Sequence, residues 1–585
     1  MDEIERRRIE CLLESTEEDD LLGGFSSDDN DENTPTYEPH DQNTDTEQSM
    51  SSTSSIGNIS NESDSEYSYH ESDDDLPISM RRKFFIGKDW TKWNRKPNVR
   101  VRIANSNKVT EKSGVKLLAK SAKTILECWM LFFSNEMLEH IVKMTNIYID
   151  KVRPNYNRER DASETCVREI KALLGILYTI GAIKCNHRST EDLWKIDGCG
   201  VDILACVMSE HRFRFLLRCI RFDDIRGRDV RKKIDNMTHI RHIFDLFVNN
   251  CKNTYTVSEY CTIDEKLQSF RGHCSFRVYM PNKPAKYGLK MFALVDSINY
   301  YTLNIELYAG KQPDGPFLVD NAASCVVKRL ANPILNTGRN ITFDNWFTSF
   351  PLADYLLKNK TTIVGTVRKN KREIPPEFLI SKGRDLYSSY FGFSKNKSIV
   401  SYKAKSNKIV LIASTMHNDK AIDINTGEKL KPEMITFYNS TKSGVDTMDW
   451  MTENYSVARH SARWPLTVFY SLLNIGGLNS MIVYQENTQV KKTRLEFLKS
   501  LGRQLMENQL KYRMTISSLP RPLKTRLQNY VTVEREVLPQ KLRSSNRCAF
   551  CERAKDKKTT KVCTNCIKPI CRDHLIEICP DCFTL

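Results

Sequence analysis

The chain has 585 residues, 40% hydrophobic and 28% charged, enough for two to four domains with buried cores. No run of about 18 apolar residues occurs and the start, MDEIERRRIE, lacks a basic-then-apolar leader, so the reading excludes a membrane span and a secretory signal and expects a soluble intracellular protein. The net charge of +15 joins unlike parts: residues 1–80 hold 24 acidic and 3 basic side chains, a balance of −21, which leaves +36 on the rest and predicts a polyanionic partner, because neutralised phosphates release condensed counterions.

In chain order, residues 1–80 form an acidic arm too poor in apolar residues to offset chain entropy, so disorder is expected. Residues 81–115 read as a basic linker, whose stretch Arg81–Arg102 suits a linker or a DNA-contacting arm. From 116 to 255 the periodicity is helical: Met137, Leu138, Ile141 and Val142 share one face after Ser134, and Val167–Ile183 and Glu210–Asp224 follow. In the last of these, Arg212, Arg214, Arg218 and Arg221 alternate with apolar residues, which fits a phosphate-binding face and a solvated face equally.

Short β-type runs begin near Tyr260: Cys261–Phe270, then a hairpin of Tyr287–Val295 and Tyr300–Tyr308 turning at Asp296. A strand at Asn340–Phe343, a helix at Pro351–Lys358 and a strand at Thr361–Val367 complete a mixed α/β layer over 256–372. Residues 373–435 are polar and β-leaning and interrupt that core, which resumes at 436–456. Helical pattern returns in Val445–Thr452, Trp464–Tyr484 and Thr493–Tyr512, the last two within a segment 457–535.

Cutting a phosphodiester requires charge stabilisation at the attacking oxygen, the leaving oxygen and phosphorus, which two divalent ions held by a few carboxylates supply. Asp264 lies on one β-run, Asp344 ends another, and Asp446 and Asp449 are three apart on one helix face. Singly, each is an ordinary turn or cap residue among 73 acidic residues, and Asp296 also ends a strand yet reads as a hairpin turn.

The words around them are specific. FRGHCSFRVYMPNKPAKYGLK at 270–290 resembles the piggyBac transposase core, in which the first Asp precedes an R-G-R-x-x-x-R-x-Y-x-P-x-K-P-x-K-x-G run. DNWFTS from Asp344, GTVRKNKREIP from Gly365, KSGVDTMD from Lys442 and Arg463-Trp464-Pro465 match the later blocks in order, so the resemblance covers the chain from about 125 to its end. His273 stands where a basic residue is usual, and Trp450 where a polar one is common.

The resemblance implies an α/β ribonuclease-H-like catalytic core with an inserted β-leaning domain, flanked by a split all-α domain for DNA binding and dimerisation. It implies Asp264, Asp344 and Asp446 as catalytic residues holding Mg²⁺ or Mn²⁺, with Asp449 beside them. The implied activity is excision through hairpin ends and integration at TTAA sites, on double-stranded DNA, in the nucleus, by a homodimer or larger assembly. Arg368, Lys371 and Arg372 form a cluster suited to target phosphate, or a solvated turn, and Trp464 a ring that stacks on an unpaired base, or packs in the core. A host-adopted, non-catalytic DNA-binding protein of the same descent is the rival reading.

Seven of the 18 cysteines fall in the last 38 residues, as Cys548-x₂-Cys551, Cys563-x₂-Cys566, Cys571-x₂-His574 and Cys579-x₂-Cys582. Eight ligands make two closed tetrahedral sites, hence two structural Zn²⁺ in a module over 536–585 whose folding energy the metal supplies. The resemblance implies a cross-brace, with Cys548, Cys551, Cys571 and His574 on one ion and Cys563, Cys566, Cys579 and Cys582 on the other. His574 as sixth ligand departs from the usual RING and PHD orders, and the surrounding lysines and arginines favour DNA as the partner.

Overall fold

The computed structural model describes residues 83–97, 108–109, 111–281, 283–531, 541–555, 557–562 and 568–575. The acidic arm 1–80 and the ligands Cys563, Cys566, Cys579 and Cys582 lie outside the described residues.

Strands β1 (Phe84–Ile86), β2 (Lys92–Asn94) and β3 (Gly114–Val115) come first. Helices α1 (Ile125–Met130), α2 (Asn135–Val152), α3 (Val167–Ala182), α4 (Glu210–Cys219) and α5 (Arg241–Thr254) lead to β4 (Tyr255–Thr256), which pairs with β3. Next are β5 (Tyr260–Ser269), β6 (Val278–Tyr279), β7 (Tyr287–Asp296), β8 (Thr302–Leu307), α6 (Ala323–Ala331), β9 (Asn340–Phe343), α7 (Phe350–Lys358) and β10 (Thr362–Thr366). Strands β11 (Ser389–Phe393), β12 (Ser398–Lys405) and β13 (Lys408–Ser414) precede α8 (Glu433–Thr441), α9 (Gly444–Asn454), α10 (Trp464–Thr488), α11 (Arg494–Thr515) and α12 (Arg521–Gln528). A ribbon of β14 (Lys541–Arg547) and β15 (Lys558–Lys561) follows.

Local signals start these helices where the chain supplies them. Ser134 caps α2 by accepting from Met137 N, and Thr124–Glu127 and Thr493–Glu496 close reciprocal capping boxes on α1 and α11. Helices α3 and α11, over 300 residues apart, cross closely: a Cβ on Gly175 would lie 2.8 Å from Gly502 O, and one on Gly502 3.0 Å from Gly175 O. Helical segments from before and after the sheet therefore share one core. Helix α10 is buried almost throughout from Leu466 to Val483; it is long and apolar enough to cross a membrane, but 94% of its most apolar stretch is enclosed by protein, as in a core helix.

The main sheet runs β1-β2-β11-β12-β13-β10-β9-β5-β7-β6, with β8 also on β7. Its centre, β8-β7-β5-β9-β10, is antiparallel across the first three strands and parallel from β5 through β10, a ribonuclease-H-like order. Strands β11–β13 extend that sheet through an antiparallel β13–β10 pairing.

Residues 84–94, expected in a basic linker, instead form the β1–β2 hairpin at the sheet's edge. The cause is a pair of inward rings: Phe85 and Trp93 face each other in register and are buried with Phe350, Ile374 and Phe378. The arginine row of α4 and the residues just after it fits neither sequence reading whole. Arg212 pairs with Glu169 at 2.7 Å, and the buried Arg221 stacks 3.5 Å over Tyr148, while Arg214 and Arg218 remain exposed.

Candidate active site and C-terminal metal-ligand cluster

Strand register sets the first two carboxylates. Thr262 lies opposite Thr342 and Ile263 opposite Phe343 on parallel neighbours β5 and β9, so Asp264 and Asp344 are the next pair along. Strand side chains alternate, so both share the face of Thr262 and Thr342, on strands about 4.8 Å apart. That face receives the α8–α9 junction: Thr262 Oγ1 donates to Thr441 O (2.6 Å), and the Thr342 and Thr441 hydroxyls are 2.7 Å apart. Gly444 begins α9 here, where a Cβ would sit 2.4 Å from Thr262 Oγ1.

Helix α9 thus lies across β5 with Asp446 in its first turn, where the helix dipole favours an anion. Asp446, Asp449 and Glu453 follow at helical spacing and face the polar row of β5. Lys266, fully buried, ion-pairs with Asp449 and with Glu453 (3.5 Å), and Gln268 Nε2 donates to Glu453 (3.5 Å). Asp449 is therefore occupied by Lys266, whereas Asp446 remains 63% exposed beside Lys283 Nζ at 3.5 Å.

Burial, then the charges of Glu265, Asp344 and Asp446, raises the Asp264 carboxyl well above its ordinary range, with Lys283 opposing. Burial and Glu265 push Asp344 up to about 6, against the Trp346 and Phe347 amides and the Arg368 charge. Neither Asp264 nor Asp344 has an ion-pair partner among the described residues. Crowded, desolvated carboxylates of this kind call for a cation, and an all-oxygen donor set fits a hard ion such as Mg²⁺ or Mn²⁺. The three are more widely spread than a single compact ligand cluster: among the described residues, the group of ligand atoms all within 4.8 Å of one another is the C-terminal one.

Around the carboxylates the structure places Arg368, whose Nε lies 3.4 Å from Asn345 Oδ1. Lys371 and Arg372 line an open groove with Lys88 and Trp90. Trp464 is half-buried, its ring edge-on to Phe276 (5.0 Å) and His239 (5.3 Å). Asp296 is a structural residue, buried and accepting from Ser258 N and Oγ (2.6 and 2.7 Å).

Sequence reasoning passed over Lys266, Glu265 and Lys283. Lys266 was discoverable, since two residues along a strand return to the same face as Asp264. Lys283 lay within the 270–290 run, but nothing in that run says which cation turns back to Asp446; it also donates to Glu265 O at 3.2 Å.

At the C-terminus, β14, β15 and the following turn bring the first and third ligand pairs together. His574 Nδ1 lies 3.8, 3.6 and 3.3 Å from the sulfurs of Cys548, Cys551 and Cys571, and Cys551 and Cys571 sulfurs are 3.6 Å apart. Burial opposes a thiolate at Cys548, but amides of Cys571 and Phe550 outweigh it and bring the thiol to about 6. Three thiols and one imidazole suit a tetrahedral ion, zinc above all.

The family described as Transposase IS4 matches residues 125–481. Human PiggyBac transposable element-derived protein 3 is 22% identical over 413 residues, 68% of this chain and 67% of that protein. Human PiggyBac transposable element-derived protein 5 is 23% identical over 238 residues, 38% of this chain and 44% of its own length. A cryo-EM structure of piggyBac transposase synaptic complex with hairpin DNA superposes with a TM-score of 0.68 at 36% identity, covering 81% of this chain and all of that one. Family match, fold and the neighbouring aspartates on β5 and after β9 agree: the chain belongs to the piggyBac-type transposases.

Proposed function

We propose that this chain is an active, metal-dependent DNA transposase that excises an element through hairpin ends and inserts it at TTAA sites. The observation carrying the reading is that Asp264, midway along β5, and Asp344, just past the end of the parallel neighbour β9, lie side by side without an ion-pair partner among the described residues, with Asp446 exposed across from them. These three would hold Mg²⁺ or Mn²⁺, whose bound charge would stabilise the attacking and leaving oxygens at phosphorus. Lys283 and Arg368 stand beside the carboxylates, ready to neutralise phosphate oxygens, with Trp464 as a stacking surface for an unpaired base.

The chemistry is a chain of in-line displacements. Water forms a bond to phosphorus as the bond to a 3′-oxygen breaks, leaving a 3′-hydroxyl. That hydroxyl attacks the opposite strand, exchanging one phosphorus–oxygen bond for another and closing a hairpin. After water reopens the hairpin, the same hydroxyl attacks target DNA. Each step breaks one phosphorus–oxygen bond and makes one, so one site serves all. Holding two ends together calls for a homodimer or larger assembly, and the proposed site of action is the nucleus. The Cys548, Cys551, Cys571 and His574 cluster would hold structural zinc, with the second ion on Cys563, Cys566, Cys579 and Cys582.

The test incubates purified protein and Mg²⁺ with labelled transposon-end DNA beside TTAA. Nicks and hairpins are expected, and Asp264→Ala is expected to abolish them while retaining binding. Binding without any strand cleavage would instead support a host-adopted, non-catalytic protein, the reading favoured by the similarity to the human element-derived proteins.

A further inference from the structure

The β1–β2 hairpin carries more positive charge than its fold uses. Residues 83–97 hold five basic side chains against one acidic, and the loop 368–373 four against one. The two segments are fastened together: Trp93 Nε1 donates to Glu373 O at 2.8 Å, and Asp89 N to Arg372 O at 3.3 Å. Between them runs an open groove, lined by Lys88, Asp89 and Trp90 on one side and Lys371, Arg372 and Glu373 on the other. The loop starts at Arg368, whose Nε reaches Asn345 next to Asp344, so the groove is joined to the carboxylate site through residues 368–371.

Trp90 is the anomaly. It is 60% exposed and holds a left-handed backbone, φ +67°, at the hairpin turn. That conformation costs a bulky residue about 1 kcal/mol or more, and glycine or asparagine would adopt it with less strain. Trp93, three residues later, is wholly buried, so the core already has its indole. Asp89 is turned to its own loop, accepting from Thr91 N at 3.0 Å, and the cations around Trp90 outnumber the acids.

An exposed indole among cations matches one ligand chemistry well. Phosphates take the cations, and a base lies flat on the ring, but only an unpaired nucleotide has a free face to offer. We propose that this groove binds an unpaired DNA strand continuing out of the carboxylate site, with a base on Trp90 and phosphates against Lys88, Lys371 and Arg372. The inference rests on the reading that the carboxylates act on DNA.

Fluorescence anisotropy of the full-length chain with a labelled thymidine oligonucleotide, and with a duplex of equal length, tests it. Trp90→Ala is expected to weaken single-strand binding by about fivefold or more and leave duplex binding unchanged. Trp90→Phe, which keeps a stacking face, is expected to retain most of the affinity. Lys88→Ala with Arg372→Ala should flatten the salt dependence of single-strand binding. Ultraviolet cross-linking to an iodouridine-containing oligonucleotide should label Trp90. Single-strand affinity unchanged in Trp90→Ala, or a loss equal on duplex, or a Trp90→Phe loss as large as that of Trp90→Ala, would overturn the proposal. Strand cleavage measured in parallel separates the two readings: normal cutting with unaltered Trp90→Ala binding defeats the groove alone, and the reverse pattern defeats the cleavage reading alone.

Discussion

Gly444 sets the distance between helix α9 and the sheet. With a methyl group there, Thr262 Oγ1 and Cβ would lie 2.4 and 2.9 Å away, and Thr262 is fixed by its bond to Thr441 O. The helix start must then lift, carrying Asp446 with it. Displacements near 1 Å at a reacting centre cost roughly a hundredfold, so Gly444→Ala is expected to lose about that factor in strand cleavage while DNA binding persists. A variant that cuts at the parent rate would show that the Asp446 position tolerates the shift. Lys266 gives a second test at this scale. Removing one member of a buried ion pair costs roughly 3 kcal/mol, so Asp449→Asn, which leaves the fully buried Lys266 ammonium only the more distant Glu453 at 3.5 Å, should lower the unfolding midpoint. Pairing Lys266→Met with Asp449→Leu should recover much of the loss. If the stable double variant still cuts DNA, Asp449 is a positioning residue; an inactive one would restore it to the reacting site.

At the scale of elements, the segment after β13 couples sheet stability to pH. His417 is held down to about 4 by burial, with Asp419 pulling the other way. Ser414 Oγ already accepts from the Met416 and His417 amides, so its own proton goes to His417 Nδ1, which must be neutral to accept it. Below the ordinary value of 6.5 the unfolded chain takes a proton the folded chain refuses, down to about 4. Stability is therefore full above pH 6.5 and falls as pH drops through that window, by roughly 3 kcal/mol at the limit. Unfolding midpoints between pH 7 and 4 should show the parent losing more than His417→Gln, and parallel curves would refute the assignment.

The same scale shows what a sequence can carry. Strand β9 and helices α7, α9, α10 and α11 were legible from periodicity and caps, because those signals are local. The β5–β9 register that pairs Asp264 with Asp344 was not, since it depends on hydrogen bonds between segments some 80 residues apart; only the motif words identified the two. Hairpin β1–β2 was missed because two three-residue strands inside a cationic stretch show one inward residue each, too little for a period-two pattern. Lys283 and Lys266 look like any other lysines until the fold supplies their carboxylates.

On the scale of the whole molecule, the main sheet is an insertion between helical segments that pack on each other through the Gly175–Gly502 crossing. The sheet itself is hydrogen-bonded continuously from β1 to β6, so strands β11–β13 and the central strands share one sheet. Its outer edge belongs to the first described segment of the chain. Strands β1 and β2 are three residues each, flanked by Lys83, Lys88 and Arg95, and β2 meets β11 at Asn94–Phe393. Short, cation-flanked edges resist pairing with another chain, whereas a bared strand invites it. Trimming the chain to begin at residue 98 would free the edge of β11 at Phe393, where β2 pairs with it, and bare the Phe350, Phe378 and Tyr390 rings that Phe85 and Trp93 pack against. Light scattering of such a truncation should report particles that grow with concentration beyond the size the parent reaches. On that outcome the hairpin guards the sheet edge against aggregation, and a shortened version of this protein would have to keep it.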